Sequence, residues 1–171
     1  MDKKEGEGDK EIKAKIELAK YTASASSDLI KIADTKATWA FSAIGILTGA
    51  FLSKIIKIDW SIKQNITTVS LISLSLFFIF MAFTYTLFVI YPRLTKSNKE
   101  GVIYFEDVAS QTFEEYKNNF SKISQEDMME RYVSQAYNLS KITSKKFKAL
   151  RVGLVHMMIT IITLIATFLW A

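Results

Sequence analysis

Three stretches of this chain contain no Asp, Glu, Lys or Arg: Ala37 to Ser53, Gln64 to Pro92 and Val152 to Ala171. A bilayer core is crossed by about 20 predominantly apolar residues of helix, so the second and third runs are long enough and the first is near the lower limit. At ~1.5 Å per residue the first run covers about 25 Å, which leaves Lys36 and Lys54 to snorkel at its ends. The sequence therefore predicts three membrane-spanning helices.

The first 36 residues are charged and have no apolar core, so no signal peptide is expected and the first span acts as an uncleaved anchor. Cysteine is absent, which excludes disulfides, thiol catalysis and Cys-based metal sites. The net charge of +5 could suit nucleic acid. Basic residues beside membrane spans are explained more simply by topology and lipid headgroups, so no nucleic-acid partner is expected.

Orientation follows from lysine and arginine. Lys54, Lys57 and Lys63 lie between the first two spans. On the other side would be Lys20, Lys31, Lys36, Arg93, Lys96, Lys99, Lys141, Lys145, Lys146, Lys148 and Arg151, eleven against three. The excess predicts a multi-pass membrane protein with its N-terminus and the segment 93–151 in the cytoplasm.

From Glu11 to Lys57 there is no proline, and Ile12, Ile16, Ala19, Ala23, Ser26, Ile30, Ala33 and Ala37 recur at alternating spacings of four and three. That is a seam of mostly small residues, and it runs on through Ala40, Ile44, Leu47 and Phe51. One helix is predicted to start in the cytoplasm and continue through the first span. Phe105, Val108, Thr112, Phe113, Tyr116, Phe120 and Ile123 predict an amphipathic helix over 105–123. Ser124 and Asp127 resemble a capping box. The helix they open carries Met129, Tyr132, Ala136, Leu139, Thr143, Phe147, Leu150 and Leu154 on one face and leads into the third span.

The expected fold is an all-α membrane protein with three transmembrane helices and a small cytoplasmic helical bundle, its first and last helices continuous from cytoplasm into membrane. In order, this gives a disordered charged tail over 1–10, a cytoplasmic helix over 11–36 and a first span over 37–53. An external loop over 54–65 and a second span over 66–91 follow. A cytoplasmic helical segment over 92–151 leads to the last span over 152–171.

Catalysis finds little support. No Gly-rich phosphate loop, HExxH or Ser elbow is present, and the one histidine, His156, suits packing between helices. The expectation is a protein that is not an enzyme, with no catalytic residue, metal site or cofactor. Gly45 and Gly49 form a GxxxG that suits either self-association into a homo-oligomer or packing against spans of the same chain. Lys141, Lys145 and Lys148 share a helical face with Lys146 and Arg151 adjacent, a pattern that suits lipid headgroups. Alternatively Lys145, Lys146 and Arg151 hold a ligand phosphate, with Tyr104 and Phe105 as a stacking surface.

Asp34 and Lys36 stand directly before the first span. On a helix they point to different sides. Lys36 can simply snorkel, whereas Asp34 needs a partner: Lys31 or Thr38 on its own helix, or Lys145, Lys146 or Arg151 on the last one. Asp34 and Lys36 are the candidate gate residues.

The segments "ADTKATWAFSAIGILTGAFLS", "YPR", "GVIYFEDV" and "YNLSKITSKKFKALRVG" resemble the transmembrane effectors of the Pycsar antiphage systems, a likeness that extends from Leu29 to the end. The resemblance implies an inner-membrane effector activated by cyclic UMP or cyclic CMP made by a partner cyclase. Once activated it would impair membrane integrity and stop growth of the infected cell (abortive infection). The residues alone leave two other readings: a membrane-anchored scaffold that recruits a cytoplasmic partner, and a constitutive holin-like pore.

Overall fold

In the computed structural model the described residues are 2–57, 65–91, 102–103 and 105–170, with side chains described from Gly8 onward and not at Phe105 or Glu106. Among these residues five helices form: α1 (Asp2–Lys57), α2 (Ile66–Ile90), α3 (Phe105–Ala109), α4 (Phe113–Lys122) and α5 (Gln125–Trp170). Three of them, α1, α2 and α5, are long and apolar enough to cross a membrane. The fold is all-α.

Two expectations need correcting. Residues 2–10, expected as a disordered tail, are the first turns of α1. The composition permits this: no proline interrupts the segment, and lysine and glutamate are good helix formers. The single helix expected over 105–123 is two helices, α3 and α4. Thr112 leaves the helical conformation at φ −72°, ψ 159° and caps α4, accepting a hydrogen bond from the Glu115 amide while the Glu115 carboxylate accepts one from Thr112 N–H. A reciprocal box of this kind favours starting a new helix over continuing the old one. The second box forms as the sequence predicts, with Asp127 N–H donating to Ser124 Oγ at 3.0 Å. The expected external loop is shortened at its start, because α1 continues to Lys57, and residues 58–64 lie outside the described ones.

The chain divides into two compact units. The first comprises residues 1–29 and 93–143. Within it α1 buries Ile16, Ala19, Ala23 and Ser26, and α5 buries Ala136 and Thr143. Small side chains let the two backbones approach closely enough for hydroxyls to bridge them. Thr143 Oγ1 donates to the Ser26 carbonyl at 3.1 Å, and the Ser26 and Ser140 hydroxyls lie 3.0 Å apart.

The second unit comprises residues 30–92 and 144–171, a three-helix bundle of α2 with the later parts of α1 and α5. One core cluster joins Ala33, Ala37, Val89, Ala149 and Leu150, and another joins Ile44, Phe51, Ile79, Ala82 and Leu164. The face that α2 buries is Thr68, Ser75, Ile79, Ala82, Thr86 and Val89, a heptad-like run of small and hydroxyl residues. Where lipid replaces water, burying apolar area drives little, and close packing of small residues takes over. Phe77, Phe80, Ile162 and Leu169 face outward accordingly.

Candidate gating site

The seam of α1 fixes where Asp34 points. Ala33 and Ala37 are fully buried, so Asp34, one residue off the seam, sits at the margin of the contact with α5. There Lys146 Nζ donates to Asp34 Oδ1 at 2.5 Å, within the second unit. The two partners are unequally covered. The lysine side chain is 4% exposed and the carboxylate 37%. A buried ammonium carries a desolvation cost of several kcal/mol unless it is paired, so Asp34 is what makes Lys146 tolerable at this depth. Thr38, named beside Lys31 as a local partner, donates its hydroxyl to the Asp34 carbonyl at 2.9 Å and leaves the carboxylate to the lysine.

The structure separates the other cations. Lys36, Lys145, Lys148 and Arg151 are exposed, and of these Lys36, Lys148 and Arg151 line one open groove. Lys146 is therefore not grouped with Lys145 and Arg151 around a ligand; it is turned inward. Tyr104 lies outside the described residues, as does the side chain of Phe105. The stacking surface expected of these two rings accordingly has no geometry to set beside the cations.

Gly45 and Gly49 are exposed, and a Cβ added at either meets nothing within 4 Å. The GxxxG thus faces away from the other spans of its own chain. The close helix approach is made elsewhere, at Gly153, where a Cβ would lie 3.3 Å from both Thr86 Cγ2 and Tyr85 Cβ. His156 stacks on Tyr85 at 5.4 Å, and its Nδ1 is 2.8 Å from the Val152 carbonyl, a satisfied packing position. Sequence reasoning passed over the buried hydroxyls Thr68, Ser75, Thr86, Thr160, Thr163 and Thr167. Their spacing inside the charge-free runs was the available signal. Ser75 and Thr167 meet at 3.4 Å, linking α2 to α5.

Against this geometry, the family model described as the Pycsar effector protein domain matches residues 18–171. The chain belongs to the Pycsar effector family. It is 26% identical over 137 residues to the Pycsar effector protein SaPycTM of Staphylococcus aureus, covering 80% of this chain and 84% of that protein. No solved structure matches. Membership makes the protein a multi-pass membrane effector of an antiphage system, and the three membrane-length helices agree with it. Among the described residues no three His, Asp or Glu side chains converge as a metal site.

Proposed function

We propose that this Pycsar effector is held silent in the inner membrane by the Asp34–Lys146 pair, and that cyclic UMP or cyclic CMP from a partner cyclase releases it to impair the membrane. Family membership supplies the antiphage role; the buried ammonium at the head of the spans supports the gate. A ligand shifts an equilibrium only by its differential affinity for the two arrangements. In the released arrangement Lys146 swings out beside the exposed Lys145, where an anionic phosphate offers its ammonium an alternative to the Asp34 carboxylate, so binding and loss of the pair become one event. Because α1 and α5 each contribute residues to both units, movement at residues 34 and 146 has a covalent route into the membrane-length segments.

In this reading the N-terminus and residues 93–151 face the cytoplasm, where the nucleotide is made. The outward-facing Gly45 and Gly49 then serve contact between copies in a homo-oligomer. The protein acts without catalysis.

The deciding experiment uses the purified full-length chain. Titration calorimetry should show cyclic UMP or cyclic CMP binding and purine cyclic nucleotides failing to bind. The same pyrimidine nucleotide should release dye from vesicles carrying the protein. Dye release independent of any nucleotide would replace this reading with the constitutive pore.

A further inference from the structure

Lys146 has turned inward to Asp34, but three neighbouring cations have not. Lys36, Lys148 and Arg151 are exposed, and none has an ion pair among the described residues. They converge on an open groove of about 580 Å³ within the second unit, and among the described residues no acidic side chain lines it. Apart from Ser144, its remaining wall is apolar and includes Phe147, Leu154, Val155 and Met158.

The sequence order of these groups matters. Lys36 is the last charge before the run 37–53, and Arg151 the last before 152–171. Leu154 and Met158 lie inside the second of those runs. At 1.5 Å per residue, Met158 is about 10 Å deeper along α5 than Arg151. The groove thus has cations where a lipid headgroup would lie and an apolar wall where its chain would begin.

We propose that this groove binds one anionic phospholipid, its phosphate held by Lys36, Lys148 and Arg151 and one acyl chain laid along Leu154, Val155 and Met158. A free phosphate or a nucleotide would satisfy the cations but gain nothing from an apolar wall that descends into the span. An alkyl chain gains from it. A zwitterionic lipid carries the same phosphate with a compensating ammonium beside it, so a groove of single-sign charge disfavours it. Basic pockets between membrane helices bind multiply charged lipid headgroups on the same grounds. The proposal rests on residues 37–53 and 152–171 being membrane spans, and is independent of nucleotide gating.

The full-length chain would be reconstituted in nanodiscs of mixed phosphatidylglycerol and phosphatidylcholine, released, and weighed by native mass spectrometry. The expected adduct is phosphatidylglycerol. Lys148→Gln with Arg151→Gln should reduce it roughly 25-fold, about fivefold for each cation removed. Met158→Trp, which obstructs the chain path without altering charge, should also reduce it. Lys54→Gln with Lys57→Gln removes as many charges at the other end of the first span and should leave the adduct intact. Equal retention of phosphatidylcholine would overturn the proposal, as would an equal loss in the Lys54 and Lys57 variant, which would indicate a diffuse attraction. Displacement of the lipid one for one by cyclic UMP or cyclic CMP would assign the groove to nucleotide instead.

Discussion

Residues 1–29 with 93–143 and residues 30–92 with 144–171 pack segments of the same two long helices, yet they differ in what they hide and what they expose. The first unit hides Ile16, alanines, hydroxyls and one carboxylate, Asp107, and exposes most of its charge, including the surface pairs Glu11–Lys15 and Glu17–Lys20. It also exposes Leu18 and Val133, which line an apolar groove of about 350 Å³. The second unit exposes phenylalanine and isoleucine and hides an ammonium ion. In water, apolar exposure is the costly error, about 25 cal/mol for each Å² left uncovered. In lipid that exposure is free and an unpaired charge is the costly error. The two units therefore fail by different substitutions.

The largest expected effect is at the ion pair, and it is asymmetric. Asp34→Asn strands the buried Lys146 ammonium and should destabilise the second unit by about 3 kcal/mol. Under the proposed gate it should also give membrane damage without nucleotide or infection. Lys146→Met removes the buried charge and leaves a carboxylate that is already 37% exposed, so it should cost under about 1 kcal/mol. Asp34→Asn combined with Lys146→Met should be less destabilising than Asp34→Asn alone, because no ammonium is stranded, but should still release dye without nucleotide. Thermal unfolding in detergent and dye release measure the two consequences. A stable, fully inducible Asp34→Asn would falsify the clamp.

The second effect compares glycines inside one unit. Gly153→Leu pushes into Thr86 and Tyr85 and should destabilise by about 2 kcal/mol. Gly45→Leu with Gly49→Leu meets open space, so the fold should persist while any crosslinked oligomer disappears. Oligomers that survive the double substitution would remove the GxxxG from the proposed assembly.

These contrasts also separate what the sequence made legible from what it did not. The three spans were legible because charge is excluded from a bilayer core, and the α1 seam because small residues recur at a fixed period. Asp34 was legible as needing a partner. Choosing Lys146 from Lys145 and Arg151 was not, because that depends on the rotation of α5 about its axis, which packing alone fixes. Whether Gly45 and Gly49 face their own chain is the same kind of question. The break before α4 was missed for a different reason: apolar periodicity continues across Thr112, and the T-x-x-E box at 112–115 was written over by it.

A smaller effect is expected in the first unit. Ser26→Ala removes the hydroxyl facing Ser140 but leaves the Ser26 carbonyl to accept from Thr143. Ser140 is partly exposed and water can reach it, so the loss should be about 1 kcal/mol. A loss as large as that from Asp34→Asn would mean that both units depend on buried polar pairs, and the contrast drawn between them would fail.

The smallest effect is a pH dependence confined to the first unit. The Thr112 amide and hydroxyl both donate to the Glu115 carboxylate, at 2.8 and 2.9 Å, and hold its pKa below the ordinary carboxylate value. A carboxylate with a lowered folded pKa contributes stability that is present above the ordinary value and lost as pH falls through the folded one. Acidification should therefore loosen the first turn of α4, read as faster amide exchange over residues 113–116 after correction for intrinsic rates. Glu115→Gln keeps an acceptor in place but has no proton to gain, so its exchange should no longer respond to acid in that range. If wild-type α4 were equally protected on both sides of the transition, the box would owe its strength to the Thr112 hydroxyl accepting from the Glu115 amide, and Thr112→Ala would become the variant that opens the turn.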